Sequence, residues 1–88
     1  MKIKPDYVLR TVAGSHIVLP IGYAVVSFNG MLTLNDTGVM LWRKLEQGAE
    51  IMDLVQALTA EYDVSEAEAL EDVKAFLDSL RPSGCLDE

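Results

Sequence analysis

The 88-residue sequence predicts an α+β domain, with a three-stranded antiparallel sheet first and three helices after it. Three observations lead there. Residues 7 to 34 are short runs rich in β-branched and aromatic side chains, punctuated by turn-forming pairs. Residues 37 to 80 carry apolar side chains at spacings of three and four, the helical period. No linker, repeat or low-complexity tract divides the two halves, so residues 1–88 read as one domain with strands and helices segregated.

The first hairpin joins Tyr7–Val12 to Ser15–Pro20 through Ala13-Gly14. Pro20 closes the second strand, because proline has no N–H to give a ladder. The next turn signal is Asn29-Gly30, a pair that readily takes positive φ at both positions, as a type I′ turn requires. Met31-Leu32-Thr33-Leu34 is therefore a strand, and Val25–Phe28 is either its partner or an ordered loop. Asn35 or Asp36 caps a first helix running from about Thr37 to Gln47, with Val39, Leu41, Trp42 and Leu45 as its apolar stripe and Gly48 as its stop. Ile51, Leu54, Val55 and Leu58 define a second helix ending near Tyr62-Asp63. Ser65-Glu66-Ala67-Glu68 is a capping-box pattern that opens a third helix reaching Leu80, ahead of the breakers Pro82 and Gly84.

Charge narrows the function classes. Fourteen acidic residues against seven basic ones give −7. Nucleic-acid binders neutralise phosphates with clustered Lys and Arg, whereas here only Arg43-Lys44 are adjacent. No nucleic-acid partner is expected, and a basic peptide or protein suits the charge better. Met1–Asp6 is followed by no apolar stretch of the kind a secretory signal has. No apolar run approaches the roughly 20 residues of a transmembrane helix. A cytoplasmic protein without a membrane partner is expected.

A search for chemistry ends without a catalytic or metal site. His16 is the only histidine and lies in a strand with no second ligand at useful spacing. Cys85 is the only cysteine, so no internal disulfide forms, and only Arg81 is near enough in sequence to lower its pKa. Glu66, Glu68, Glu71, Asp72 and Asp78 read as the solvated face of the third helix. The six glycines match neither a phosphate loop nor a dinucleotide fingerprint. The expectation is a protein that is not an enzyme and uses no cofactor.

Two surfaces suggest binding. At 100° per residue, Ala69, Leu70, Val73, Phe76, Leu77 and Leu80 fill an arc of about 120° on the third helix. Leu70, Val73 and Leu77 are read as core-facing, with Ala69 and Phe76 on the opposite shoulder beside Asp72. Met31–Leu34 carries no Lys, Pro or charge to blunt an edge. If that strand is an edge beside the third helix, the two make a groove. An extended peptide could add there as a new strand, its alternate side chains dropping against the helix. The expected peptide-binding residues are Met31, Leu32, Thr33, Leu34, Ala69, Asp72, Val73 and Phe76.

The string Phe28-Asn29-Gly30-Met31-Leu32-Thr33-Leu34-Asn35-Asp36-Thr37-Gly38, followed by Leu41-Trp42, resembles the coenzyme PQQ synthesis protein D-like family. So do Tyr7–Arg10, Glu61–Val64, Val73–Leu80 and Gly84–Leu86, in the same order along nearly the whole chain. The Leu-Asn-x-Thr-Gly segment with its downstream Trp is the most specific part. The resemblance implies a winged-helix-like domain that acts as a recognition element for ribosomally made precursor peptides. Such a domain binds the leader segment and presents it to a modifying enzyme, frequently a radical SAM protein. The leader is implied to pair with the third strand, Met31–Leu34, and to rest on the third helix, Ser65–Leu80; neither a catalytic residue nor a cofactor is implied.

The sequence departs from the family in three places. Ile21–Phe28 is longer than in the shortest members and can shield or extend the sheet. Glu50 stands where a Thr cap is common, which predicts a fraying start to the second helix. Cys85 replaces a larger apolar residue. A winged-helix transcription factor is the alternative, since the same helix order can place a third helix in the major groove, but five acidic side chains there oppose it. An unblunted edge strand also allows two copies to pair as a homodimer.

Overall fold

The computed structural model describes residues 1–22 and 32–88. In chain order the elements are β1 (Lys2–Ile3), β2 (Tyr7–Val12), β3 (Ser15–Pro20), β4 (Leu32–Leu34), α1 (Asp36–Gln47), α2 (Ile51–Glu61), α3 (Glu66–Leu80), a 3₁₀ turn (Arg81–Ser83) and β5 (Leu86–Asp87). Strands β2, β3 and β4 form one antiparallel sheet in that order, and β1 pairs with β5. The expected three-stranded sheet followed by three helices is present. The β1–β5 ribbon was not expected, because two-residue strands carry no periodicity.

The β2–β3 hairpin turns on Ala13 and Gly14, with φ of 51° and 81°. Positive φ at both positions gives the turn a twist that matches the flanking strands. Gly accepts this freely, and Ala13 does so against the clash of its Cβ. β4 lies against β3 in the register Val18↔Leu32, Ile17↔Thr33 and His16↔Leu34. The partner of β4 among the described residues is thus β3; the Asn29-Gly30 turn, Met31 and the Val25–Phe28 segment lie outside them.

The helix caps explain where each helix starts. Asn35 accepts from the Gly38 amide at 2.8 Å, and Ser65 accepts from the Glu68 amide at 3.1 Å. Helix α2 begins at Glu50 without a Thr, yet its start is held from the other direction, since the Asp53 carboxylate accepts from the Glu50 amide at 2.9 Å. Gly48 takes φ of 91° just past α1, and its amide donates to the Leu45 carbonyl at 3.1 Å.

One core joins the two layers. Leu9, Val18 and Leu34 from the sheet meet Leu41, Trp42 and Leu45 of α1, Leu54, Val55 and Leu58 of α2, and Ala69, Val73, Leu77 and Leu80 of α3. Cys85 is fully buried at its base, and Tyr7 donates its hydroxyl to the Ser83 carbonyl at 3.0 Å, fastening β2 to the C-terminal turn. On α3 the buried stripe runs through Ala69, Val73, Leu77 and Leu80. Phe76 and Leu70 are its half-buried shoulders. Ala69 therefore belongs to the core and Leu70 to the rim, the reverse of the sequence expectation. Val39 is likewise only half-buried, its place nearer the core taken by Gly38.

Candidate functional site

Just past the end of β4, the first turn of α1 lies against α3. A Cβ placed on Gly38 would lie 3.3 Å from Leu34 Cβ, from Asn35 Oδ1 and from Phe76 Cε1. The absence of a side chain at Gly38 thus lets the ring of Phe76 reach the junction between strand and helix. Beside this contact is a cavity of about 360 Å³, lined by Asn35, Thr37, Gly38 and Leu41 on one side and Asp72, Ala75 and Phe76 on the other.

The expected site residues divide into two groups. Leu32 is half-buried, Thr33 is exposed, and Asp72 and Phe76 line the cavity. Leu34, Ala69 and Val73 are buried, at 8%, 0% and 0% exposure, so they shape the floor and offer almost no surface to a partner. Met31 lies outside the described residues. Among those residues, β4 has a strand neighbour on one side only, leaving its other edge of amides and carbonyls without a ladder partner.

Sequence reasoning missed Asn35, Thr37, Gly38, Leu41 and Ala75 as cavity residues. The signal was present, since Asn35, Thr37 and Gly38 are the Leu-Asn-x-Thr-Gly segment itself. Its cap chemistry gave the segment a structural reading, and a cap bond at the helix start is compatible with lining a cavity on the other side.

Of the described residues that line the cavity, Asp72 alone is charged. Asp72 and Glu68 are four apart on α3, on the flank next to Phe76, and neither forms an ion pair among the described residues. The basic residues of α3 and its end are committed or turned away. Arg81 bonds Asp78, and its Nη2 donates to Glu88 Oε1 at 2.9 Å. Those bonds from Arg81 hold the Glu88 carboxyl below its usual range. Lys74 falls about 160° round the helix from Phe76 at 100° per residue.

His16 and Cys85 sit in structural contacts. His16 Nε2 lies 3.2 Å from Asp36 Oδ1 and its Nδ1 lies 2.9 Å from Thr11 Oγ1, tying the hairpin to the start of α1. Burial pushes the Cys85 thiol up from its ordinary value, and the Ser83 hydroxyl, 3.0 Å from its sulfur, draws it partly back. A raised thiol pKa is the reverse of what a nucleophile needs. Among the described residues no group of three or more His, Cys, Asp or Glu side chains could hold a metal ion. No helix there is long and apolar enough to cross a membrane.

Comparison with known proteins sets this geometry in context. None of the curated proteins matches the sequence. Among solved structures, TbiB1 in complex with the TbiA(beta) leader peptide is 25% identical, with a TM-score of 0.79 over 99% of this chain and 95% of that one. A lasso peptide synthetase B1 complexed with the leader peptide is 26% identical, with a TM-score of 0.74 over 94% of this chain and 92% of that one. The family model of coenzyme PQQ synthesis protein D (PqqD) matches residues 15–86, from the second strand of the hairpin to the C-terminal strand. With the match spanning most of the sequence and the fold shared nearly end to end, the chain belongs to the PqqD family.

Proposed function

We propose that this protein is a binding adaptor for a ribosomally made precursor peptide. It captures the leader segment as an added strand on the outer edge of β4 and presents the peptide to a modifying enzyme. The observation that carries the reading is an edge of β4 with no strand neighbour among the described residues, followed at Asn35 by a cavity that Phe76 and Asp72 also line. Main-chain bonds along that edge supply affinity without regard to sequence, and the cavity supplies specificity through alternate side chains. Both matched structures hold a leader peptide on the same fold, which supports the same use here. Leu32, Thr33, Asp72 and Phe76 are the contact residues, with Leu34, Ala69 and Val73 beneath them.

The modifying enzyme belongs to the same proposal, as does its identity as a radical SAM protein. A DNA-binding reading finds no support in the charges, since α3 would bring Glu68, Glu71 and Asp72 toward phosphates with Arg81 already bound to two carboxylates.

The test is a backbone NMR titration of the full chain with the leader segment of a short precursor encoded beside its gene. The expected result is shifts at the amides of 32–34 and along the Asp72–Phe76 flank of α3, with new exchange protection in β4. Binding that moves neither region refutes the assignment of the site. Absence of binding to any such segment refutes the function.

A further inference from the structure

The charge pattern beside the cavity specifies more than a generic peptide. Glu68 and Asp72 sit one helical turn apart on the flank of α3 next to Phe76, with no ion pair among the described residues. Like charges at this spacing weaken a helix slightly; Glu68 is favoured by its place in the first turn of α3, whereas Asp72 lies beyond that turn and gains nothing from it. No Lys or Arg is present in β4 or on that flank of α3 to compensate. A peptide lying between β4 and α3 would bring the missing positive charge.

Spacing then sets the register. Asp72 and Phe76 both line the cavity, and four residues of helix advance about 6.0 Å. Two residues of strand advance about 6.6 Å and return a side chain to the same face. A strand running along α3 with one side chain against Phe76 therefore places its neighbour two positions away against Asp72. We propose that this chain selects peptides carrying an aliphatic or aromatic residue and, two positions from it, a Lys or Arg, the first packed on Phe76 and the second paired with Asp72 with support from Glu68. This inference rests on the leader-binding reading and adds the chemical class of residue that the site prefers.

The experiment sorts a displayed library of random peptides, about ten residues long, the upper length of an ordinary strand. Sorting is carried out against the full chain, against Asp72→Asn and against Asp72→Lys. The wild-type pool should be enriched in a basic residue two positions from an apolar one. Individual binders should lose about fivefold in affinity to Asp72→Asn, the upper range for an exposed ion pair, and weaken as salt is added. Asp72→Lys should select an acidic residue at that position, an outcome that a purely structural role for Asp72 would not produce. Binders that shift the amides of β4 and α3 yet show no basic preference overturn this inference and leave the leader-binding site intact. A basic preference that survives unchanged in Asp72→Asn overturns it in the same way. A library yielding no binder at β4 overturns both.

Discussion

Gly38 and Phe76 are in mutual dependence: a Cβ on the glycine would stand 3.3 Å from Phe76 Cε1, and just as near to Leu34 Cβ and Asn35 Oδ1. The aromatic ring can pivot, but Leu34 Cβ is fixed by the backbone and Asn35 Oδ1 is engaged in capping the helix. The shape of the cavity and the start of α1 are therefore set by the same missing methyl.

Gly38→Ala should accordingly destabilise the fold despite the better helix propensity of alanine. Propensity offers up to about 1 kcal/mol in a helix interior and less in the first turn. Overpacking against three close neighbours opposes it with about 1–3 kcal/mol. The expected net loss of about 1 kcal/mol lowers Tm by roughly 4–8 °C in a domain of this size, and the ring resonances of Phe76 should move. An unchanged or higher Tm, read by circular dichroism, would show that the neighbours yield freely.

Binding and stability should separate along α3. Phe76→Ala removes a half-buried wall of the cavity and is expected to cost little more than about 1–2 kcal/mol of stability, below a full core truncation, while reducing leader affinity tenfold or more. Val73→Ala opens a hole at a position with 0% exposure and should cost about 1–3 kcal/mol of stability, with affinity preserved in the molecules that remain folded. Urea denaturation and calorimetric titration on both variants read the two effects independently. A Val73→Ala protein that keeps its stability but loses affinity would move the site into the α3 stripe.

Most of the architecture was legible because the starts of α1 and α3 are written in local chemistry. Asn35 and Ser65 accept the expected amides, and Gly48 takes the positive φ expected of a stop. The division of α3 was less so. A helical wheel ranks Ala69 by its own modest hydrophobicity, while its burial is decided by neighbouring elements that the wheel does not contain, and its small side chain suits close packing. The expected weakness at Glu50 failed to anticipate Asp53, which accepts from the Glu50 amide, because a reciprocal bond needs only a carboxylate three residues on. The cavity role of Thr37, Gly38 and Leu41 was missed for a different reason. They acquire meaning only when α3 is laid across the first turn of α1.

The hairpin turn contains a correctable strain. Ala13 is exposed and sits at φ of 51°, where an L side chain is disfavoured by roughly 1–2 kcal/mol. Ala13→Asn converts the turn to the Asn-Gly pair that suits positive φ at both positions. It should stabilise the protein by about 0.5–1 kcal/mol, a gain visible as a higher urea midpoint with unchanged slope. A loss would mean that the turn relaxes in solution to a geometry needing no positive φ at this residue.

Alkaline pH should loosen the base of the fold through Cys85 and then Tyr7. Burial raises the Cys85 thiol above its ordinary value. Burial also raises Tyr7, helped by the negative charge of Cys85 and Asp6. Groups whose folded pKa exceeds the unfolded one contribute stability fully present below the unfolded pKa. For the thiol that limit is about 8.5. Above it the unfolded chain gives up the proton first, and stability falls until the folded thiol also titrates. The urea midpoint should hold steady between about pH 7 and 8, begin to decline above about pH 8.5, and decline further as the tyrosine follows. Cys85→Ala should start lower, because it leaves a small void at a fully buried position, yet show a shallower decline across the thiol window. Parallel declines in the two proteins would assign the alkaline loss to Tyr7 instead, and rapid thiol labelling of the native protein at pH 8 would contradict the burial of Cys85 itself.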